Sequence, residues 1–209
     1  MNTPGKTKQR RDLTIDKIIE AALAVLKSND PSALTMRRVA ENCGVSAMAI
    51  YHHVNDKDQL ANMAADSIFL AATEAERKGG NWREKCKDLW STIRAGLLET
   101  PGAGMIWVRQ AVLGPGTAAA TEQMFQYLKE GGLSGVEIAQ ANDAMTMLTI
   151  GSVANELTRP ADIREELGKQ LPAGATPLLH ANMKAYAQRD GVERYQLALE
   201  WILDGITKR

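Results

Sequence analysis

Tyr51, His52 and His53 stand in a row within GVSAMAIYHHVNDK, Gly44 to Lys57, and include two of the three histidines in the 209-residue chain. Adjacent imidazoles could serve metal ligation, acid–base catalysis or contact with a surface. Metal ligation on a helix needs i, i+3 or i+4 spacing, as in H-E-x-x-H. Consecutive residues diverge by about 100° and do not share an ion. Catalysis needs a carboxylate to orient the base and a nucleophile to receive its help, and nothing local insists on either. A merely solvated helix face remains the bland alternative. Contact with nucleic acid engages all three side chains, since imidazole bonds to phosphate or bases and tyrosine adds a hydroxyl on a flat apolar ring. No catalytic residue, metal ligand or cofactor is assigned.

What positions these groups is helical. In TIDKIIEAALAVLK (14–27), Ile15, Ile18, Ile19, Ala22, Leu23 and Leu26 share one face at helical spacing. SNDPS breaks that helix. Thr35 caps a second, MRRVAENC, and Gly44 closes it in a backbone region cheap only for glycine. A third helix reads SAMAIYHHV, and a fourth runs from about Lys57 to Arg77. KGGN marks a boundary. Beyond it, Trp82 to Glu99 is a helix; TPGAG and LGPG bracket the short segment MIWVRQAV; TAAATEQMFQYLKE and Ser134–Thr158 are two more. Residues 159–176 read as a connection, and the last two helices start near Pro177 and Val192. No stretch alternates with the period of a strand, so the chain is predicted all-α, with a head over 1–56 and a larger helical unit over 57–209.

Two short helices joined by a glycine turn, behind an amphipathic helix, describe a helix-turn-helix. Val39 and Ala40 face Val45, Ile50 and Val54 across the turn and share a core with Ile19 and Leu23. Left outside on the third helix are Ser46, Ala47, Met48, Ala49, Tyr51, His52 and His53, placed to enter a major groove. Thr35, Arg37, Arg38 and Lys57 flank them as phosphate contacts. Double-stranded DNA is the expected partner.

The 25 basic and 25 acidic residues cancel, so no global field announces a polyanion. Locally, Lys6, Lys8, Arg10 and Arg11 precede the first acid, Asp12, and form a cationic arm. Apolar residues make up 44 % and aromatics 5 %, a balance that favours helix. The two cysteines, Cys43 and Cys86, form no CxxC pair, and neither a secretory segment nor a membrane span is visible. A cytoplasmic protein with two core thiols is expected.

At this density of motif the sequence resembles a family. LTMRRVAENCGVSAMAIYHHVNDKDQLANMAAD is similar to the signature of the TetR family of transcriptional repressors: a Thr–x–Arg helix, a G-V-S turn, and a third helix ending in Tyr–x–His before Lys and Leu. The ending RYQLALEWILDGITKR resembles the last helix of the branch that contains the tetracycline repressor. The resemblance implies a homodimer that binds a palindromic operator, with recognition helices roughly 34–36 Å apart, and is released by a small molecule in its larger domain. That branch holds a magnesium–drug chelate through a histidine. Here the matching stretch reads GMIWVRQ, and His180 is the sole histidine beyond the head.

The larger unit concentrates bulky groups. Trp90, Met105, Trp107, Met124, Phe125, Tyr127, Met145 and Asn155 are the candidates for a largely hydrophobic effector, with Arg109, Gln123, Asn142 and Glu156 on the same helices. Ordinary core packing is the alternative for each. For the dimer, the helices over 134–158 and 192–207 offer Met145, Leu148, Ser152, Leu199, Ile202, Leu203 and Ile206. A helical metal-dependent hydrolase and a protein-binding adaptor are the rival functions. The hydrolase lacks metal-ligand spacing, a nucleophile elbow and a phosphate-cradling glycine loop, and a gel shift separates the adaptor from the repressor.

Overall fold

Thr14 opens α1 (Ile15–Leu26), its hydroxyl accepting the Lys17 N–H at 3.3 Å. The computed structural model describes residues 13–76, 79–159, 176–188 and 190–207; the basic arm and residues 160–175 lie outside them. Asp30 accepts the Ser32 N–H at 2.9 Å and starts a short 3-10 turn, Pro31–Ala33. Thr35 caps α2 (Met36–Cys43) through the Arg38 N–H at 3.2 Å, and Gly44, at φ 67°, ends it in the left-handed region. α3 is shorter than its sequence suggests. It is regular over Ala47–Ile50, after which the N–H groups of His53 and Val54 both return to the Ile50 carbonyl, at 2.9 and 3.2 Å. Val54 must turn inward there, so Tyr51, His52 and His53 occupy a tightened turn.

The head's core centres on Ile18, Ala22, Leu26, Leu34, Val39, Ile50 and Val54, all buried. Each large aliphatic side chain contributes about 1.5–3 kcal/mol. Ile19 and Leu23 stand only half-buried, one position off the centre of the α1 face. Asp56 caps α4 (Lys57–Glu74) through the Gln59 N–H at 2.7 Å. That helix ends at Glu74, where Ala75 turns extended, short of the expected Arg77.

Asn81 and Glu84 form a reciprocal capping box at the start of α5 (Trp82–Glu99). TPGAG, expected to bracket a segment, instead supplies the first turns of α6 (Pro101–Arg109), with Pro101 where its missing N–H costs nothing. Gly102 sits against the end of α1. A Cβ there would stand 2.8 Å from the Leu26 carbonyl oxygen and 2.9 Å from that of Ser28. The remaining helices are α7 (Pro115–Glu130), α8 (Gly135–Thr158), α9 (Pro177–Gln188) and α10 (Gly191–Thr207). No strand occurs among the described residues, and none of their helices is long and apolar enough to cross a membrane.

α4 packs against α1, α5, α6 and α7. It is therefore apolar on most sides, burying Leu60, Ala61, Ala64, Ala65, Ile68, Phe69 and Ala72. Head and core also meet through Asn29, whose Nδ2 donates to the Leu157 carbonyl at 3.0 Å. Deeper in, Arg94 is buried between α5, α8 and α10. Its Nε donates to Ser152 Oγ at 2.8 Å, its Nη2 pairs with Glu156, and its guanidinium lies 5.0 Å from the Tyr195 ring centre. Every charge in that cluster is matched, as burial requires.

Candidate nucleic-acid interface and core cavity

On the outer side of the head, Ser46, Met48, Tyr51, His52 and His53 are exposed. Met48, at 64 %, and Tyr51, at 46 %, are large apolar or aromatic groups left in solvent beside hydrogen-bonding neighbours. Two of the expected surface residues are not free. Ala49 is buried against the head's core and Ala47 is half-buried on it, because α3 turns that edge toward α2. Thr35 spends a lone pair as the α2 cap. Arg37 Nε donates to Glu41 at 2.8 Å in an exposed pair, a cheap bond to exchange for phosphate. Arg38 reaches the Ala33 carbonyl at 3.2 Å, and Lys57 is exposed at the first turn of α4.

α4 carries the link from this face to the core. Asn62 Nδ2 donates to the Leu113 carbonyl at 2.7 Å, and the Leu113 N–H donates back to Asn62 Oδ1 at 3.1 Å. One turn on, the buried Asp66 carboxylate accepts the N–H groups of Gly116 and Thr117, at 2.8 and 2.7 Å. Asp66 thus caps α7 from a different helix, with its negative charge at the positive helix end. A Cβ on Gly114 or Gly116 would collide with Asp66, so the loop can approach only as glycine.

The clamped loop is a wall of a cavity of about 650 Å³. Phe69, Trp90, Ile93, Trp107, Val112, Met124 and Phe125 make it largely apolar, and Thr117, Thr121, Asn142 and Thr146 add polar groups. Phe69 and Trp107 lie 5.5 Å apart, ring centre to ring centre, and tilted. The buried Trp90 indole N–H has no hydrogen-bond partner among the described residues. That volume and lining suit a drug-sized molecule.

Of the eight expected effector residues, Trp90, Trp107, Met124 and Phe125 line this space. Met105, Tyr127, Met145 and Asn155 do not. Met105 and Met145 are buried elsewhere, Tyr127 lies under Lys85 Nζ at 5.4 Å, and Asn155 sits at the far end of α8. Sequence reading missed Asn62, Asp66, Phe69 and the Val112–Thr117 loop. The one available signal was two polar residues four apart on an otherwise buried helix.

Three of the seven expected dimer residues need correction. Met145, Leu199 and Leu203 are buried inside their own subunit, where α10 packs on α8 and α5. Ser152 accepts Arg94, and Leu148, Ile202 and Ile206 are half-buried against the same core. Outward on these helices are Val136, Met147 and Trp201. His180 is half-buried with its Nδ1 3.2 Å from Thr176 Oγ1, and no three His, Cys, Asp or Glu residues converge as metal ligands among the described residues. Burial raises the Cys43 thiol's pKa and pushes that of Cys86 up to about 12, which leaves both as neutral, poorly reactive thiols.

Comparison with known proteins decides the family. Residues 18–64 match the bacterial regulatory proteins of the tetR family, and residues 74–209 match the tetracyclin repressor-like C-terminal domain. The chain belongs to the TetR family. As a TetR-family protein it is 27 % identical to the class A tetracycline repressor from transposon 1721 of Escherichia coli, across 92 % of its own length and 89 % of the relative's. It is 29 % identical to an HTH-type transcriptional regulator of Saccharopolyspora erythraea over 69 % of its own length; the match spans 61 % of that regulator. Among solved structures, the ActR protein of Streptomyces coelicolor in complex with (S)-DNPA superposes with a TM-score of 0.79 at 28 % identity. That superposition covers 94 % of this chain and 98 % of the other. This TetR-family chain therefore shares a whole-length architecture with small-molecule-bound regulators, including ActR in complex with actinorhodin.

Proposed function

We propose that this TetR-family chain is a cytoplasmic, ligand-responsive transcriptional repressor. It binds a palindromic operator as a homodimer and is released when a small, largely hydrophobic effector enters the core cavity. The observation that carries this reading is the double clamp on α4. Asn62 and Asp66 grip the loop that walls the cavity, and the same helix begins at Lys57 beside the outward Tyr51, His52 and His53. A guest that moves the loop moves α4, and α4 carries the head.

Two further features support the assembly. Val136, Met147 (70 % exposed) and Trp201 (66 % exposed) leave an apolar surface on α8 and α10. A Cβ on Gly151 or Gly205 would meet nothing within 4 Å, which leaves room for another helix to approach. A second copy packing there makes a four-helix interface and holds two heads for two half-sites.

Release is a population shift, so the effector must prefer the conformation whose heads do not fit DNA. A hundredfold drop in operator affinity requires about 2.7 kcal/mol of such preference. The test is a gel shift with the DNA upstream of the chain's own gene, repeated across salt and with a panel of apolar compounds. A retarded complex that weakens with salt and dissolves with one of the compounds is expected. No complex at micromolar protein would overturn the repressor reading, and a complex that no apolar compound disturbs would overturn the release mechanism.

A further inference from the structure

We propose that the cavity selects flat, hydrophobic cations, and that Glu122 and Asp143 make that choice. This rests on the cavity being the effector site. Both carboxylates line the cavity at its exposed edge, and no Lys, Arg or His stands among the described lining residues. Glu122 accepts the neutral amide of Gln126, at 3.3 Å, and neither carboxylate has an ion pair among the described residues.

Four cations of the neighbouring α5 are paired elsewhere. Lys85 pairs with Glu130, Lys87 with Glu200, Arg83 with Asp204 and Arg94 with Glu156. The described lining thus sets two carboxylates, and no cation, at the edge of an aromatic interior. The π-faces of Trp90, Trp107, Phe69 and Phe125 attract a delocalised positive charge as well as apolar area. An anion of equal size would lose its hydration beside two carboxylates with no cation to receive it. At rim-like dielectric this amounts to roughly tenfold discrimination or more.

The probes are rhodamine 6G and fluorescein, which present similar fused ring systems with opposite charge, and uncharged Nile red. Binding to the full-length protein is followed by dye polarisation and quenching of tryptophan fluorescence. Rhodamine 6G is expected to bind at least about tenfold more tightly than fluorescein. The Glu122→Gln, Asp143→Asn double variant should bring the ratio near one while keeping Nile red affinity. Thr121→Arg, at the same rim, should narrow the ratio without reversing it. Nile red binding with no charge preference, or a preference that survives the double variant, would overturn this inference and leave the effector site standing. Failure of all three dyes to bind would overturn the effector site and this inference with it.

Discussion

Met48 is 64 % exposed on α3, and if that helix enters a major groove the side chain is placed to meet methyl groups. Ser46 is the sole hydrogen-bonding side chain ahead of Tyr51 in that stretch, Ala47 is half-buried and Ala49 is buried. Bidentate base readout has no Arg, Asn or Gln to use there. The apolar group that the major groove offers is the thymine methyl. Replacing operator thymines by uracil one at a time should therefore weaken binding about threefold to fivefold at one position per half-site, near the worth of a buried methyl. Met48→Ala should erase that sensitivity; a uniform response to uracil would show that Met48 reads nothing. Tyr51→Ala and His53→Ala should each lower operator affinity tenfold or more, the scale of a lost groove contact, and leave the oligomer unchanged by gel filtration. A change of oligomer in either variant would place those side chains in the fold instead.

At the scale of elements, the Asp66 cap is the joint most exposed to a single substitution. Asp66→Ala strips two buried N–H groups of their charged acceptor and should cost about 2 kcal/mol of stability, read from chemical denaturation. Its sharper effect belongs to coupling: effector affinity should persist while the concentration needed to release DNA rises several-fold. Release at unchanged effector concentration would show that the loop does not drive α4. This joint was invisible to sequence reading for a physical reason. Periodicity registers apolar faces, and Asn62 and Asp66 resemble any solvated pair until α7 is seen to end on them. Most helices were legible from capping residues and glycine stops, as at Thr35 and Gly44. TPGAG misled because glycines mark turns in isolation, whereas Gly102 is small so that α6 can touch α1. The stripe Leu199, Ile202, Leu203, Ile206 identified a buried face of α10, but spacing alone does not say whether a helix buries that face in its own subunit or in a partner.

The whole molecule poses an electrostatic problem, since 25 cations and 25 anions leave no net attraction for DNA. Affinity for a phosphate backbone must then come from local placement. Around α3 that supply is thin: Arg37 is shared with Glu41, Arg38 is turned to the Ala33 carbonyl, and Lys57 is exposed at the start of α4. Lys6, Lys8, Arg10 and Arg11 are four cations in six residues immediately before this head. A dimer carries two such arms. Each phosphate contact releases condensed counterions and adds about 0.9 to the slope of log K against log salt. Removing residues 1–11 should lower that slope by about 3–7, with the loss of affinity greatest at low salt and the order of preferred operators unchanged. The measurement is a salt titration of operator binding by the intact and shortened chains. An equal slope for both would mean that the arm contributes no phosphate contact, and the head's own few cations would have to carry the complex unaided.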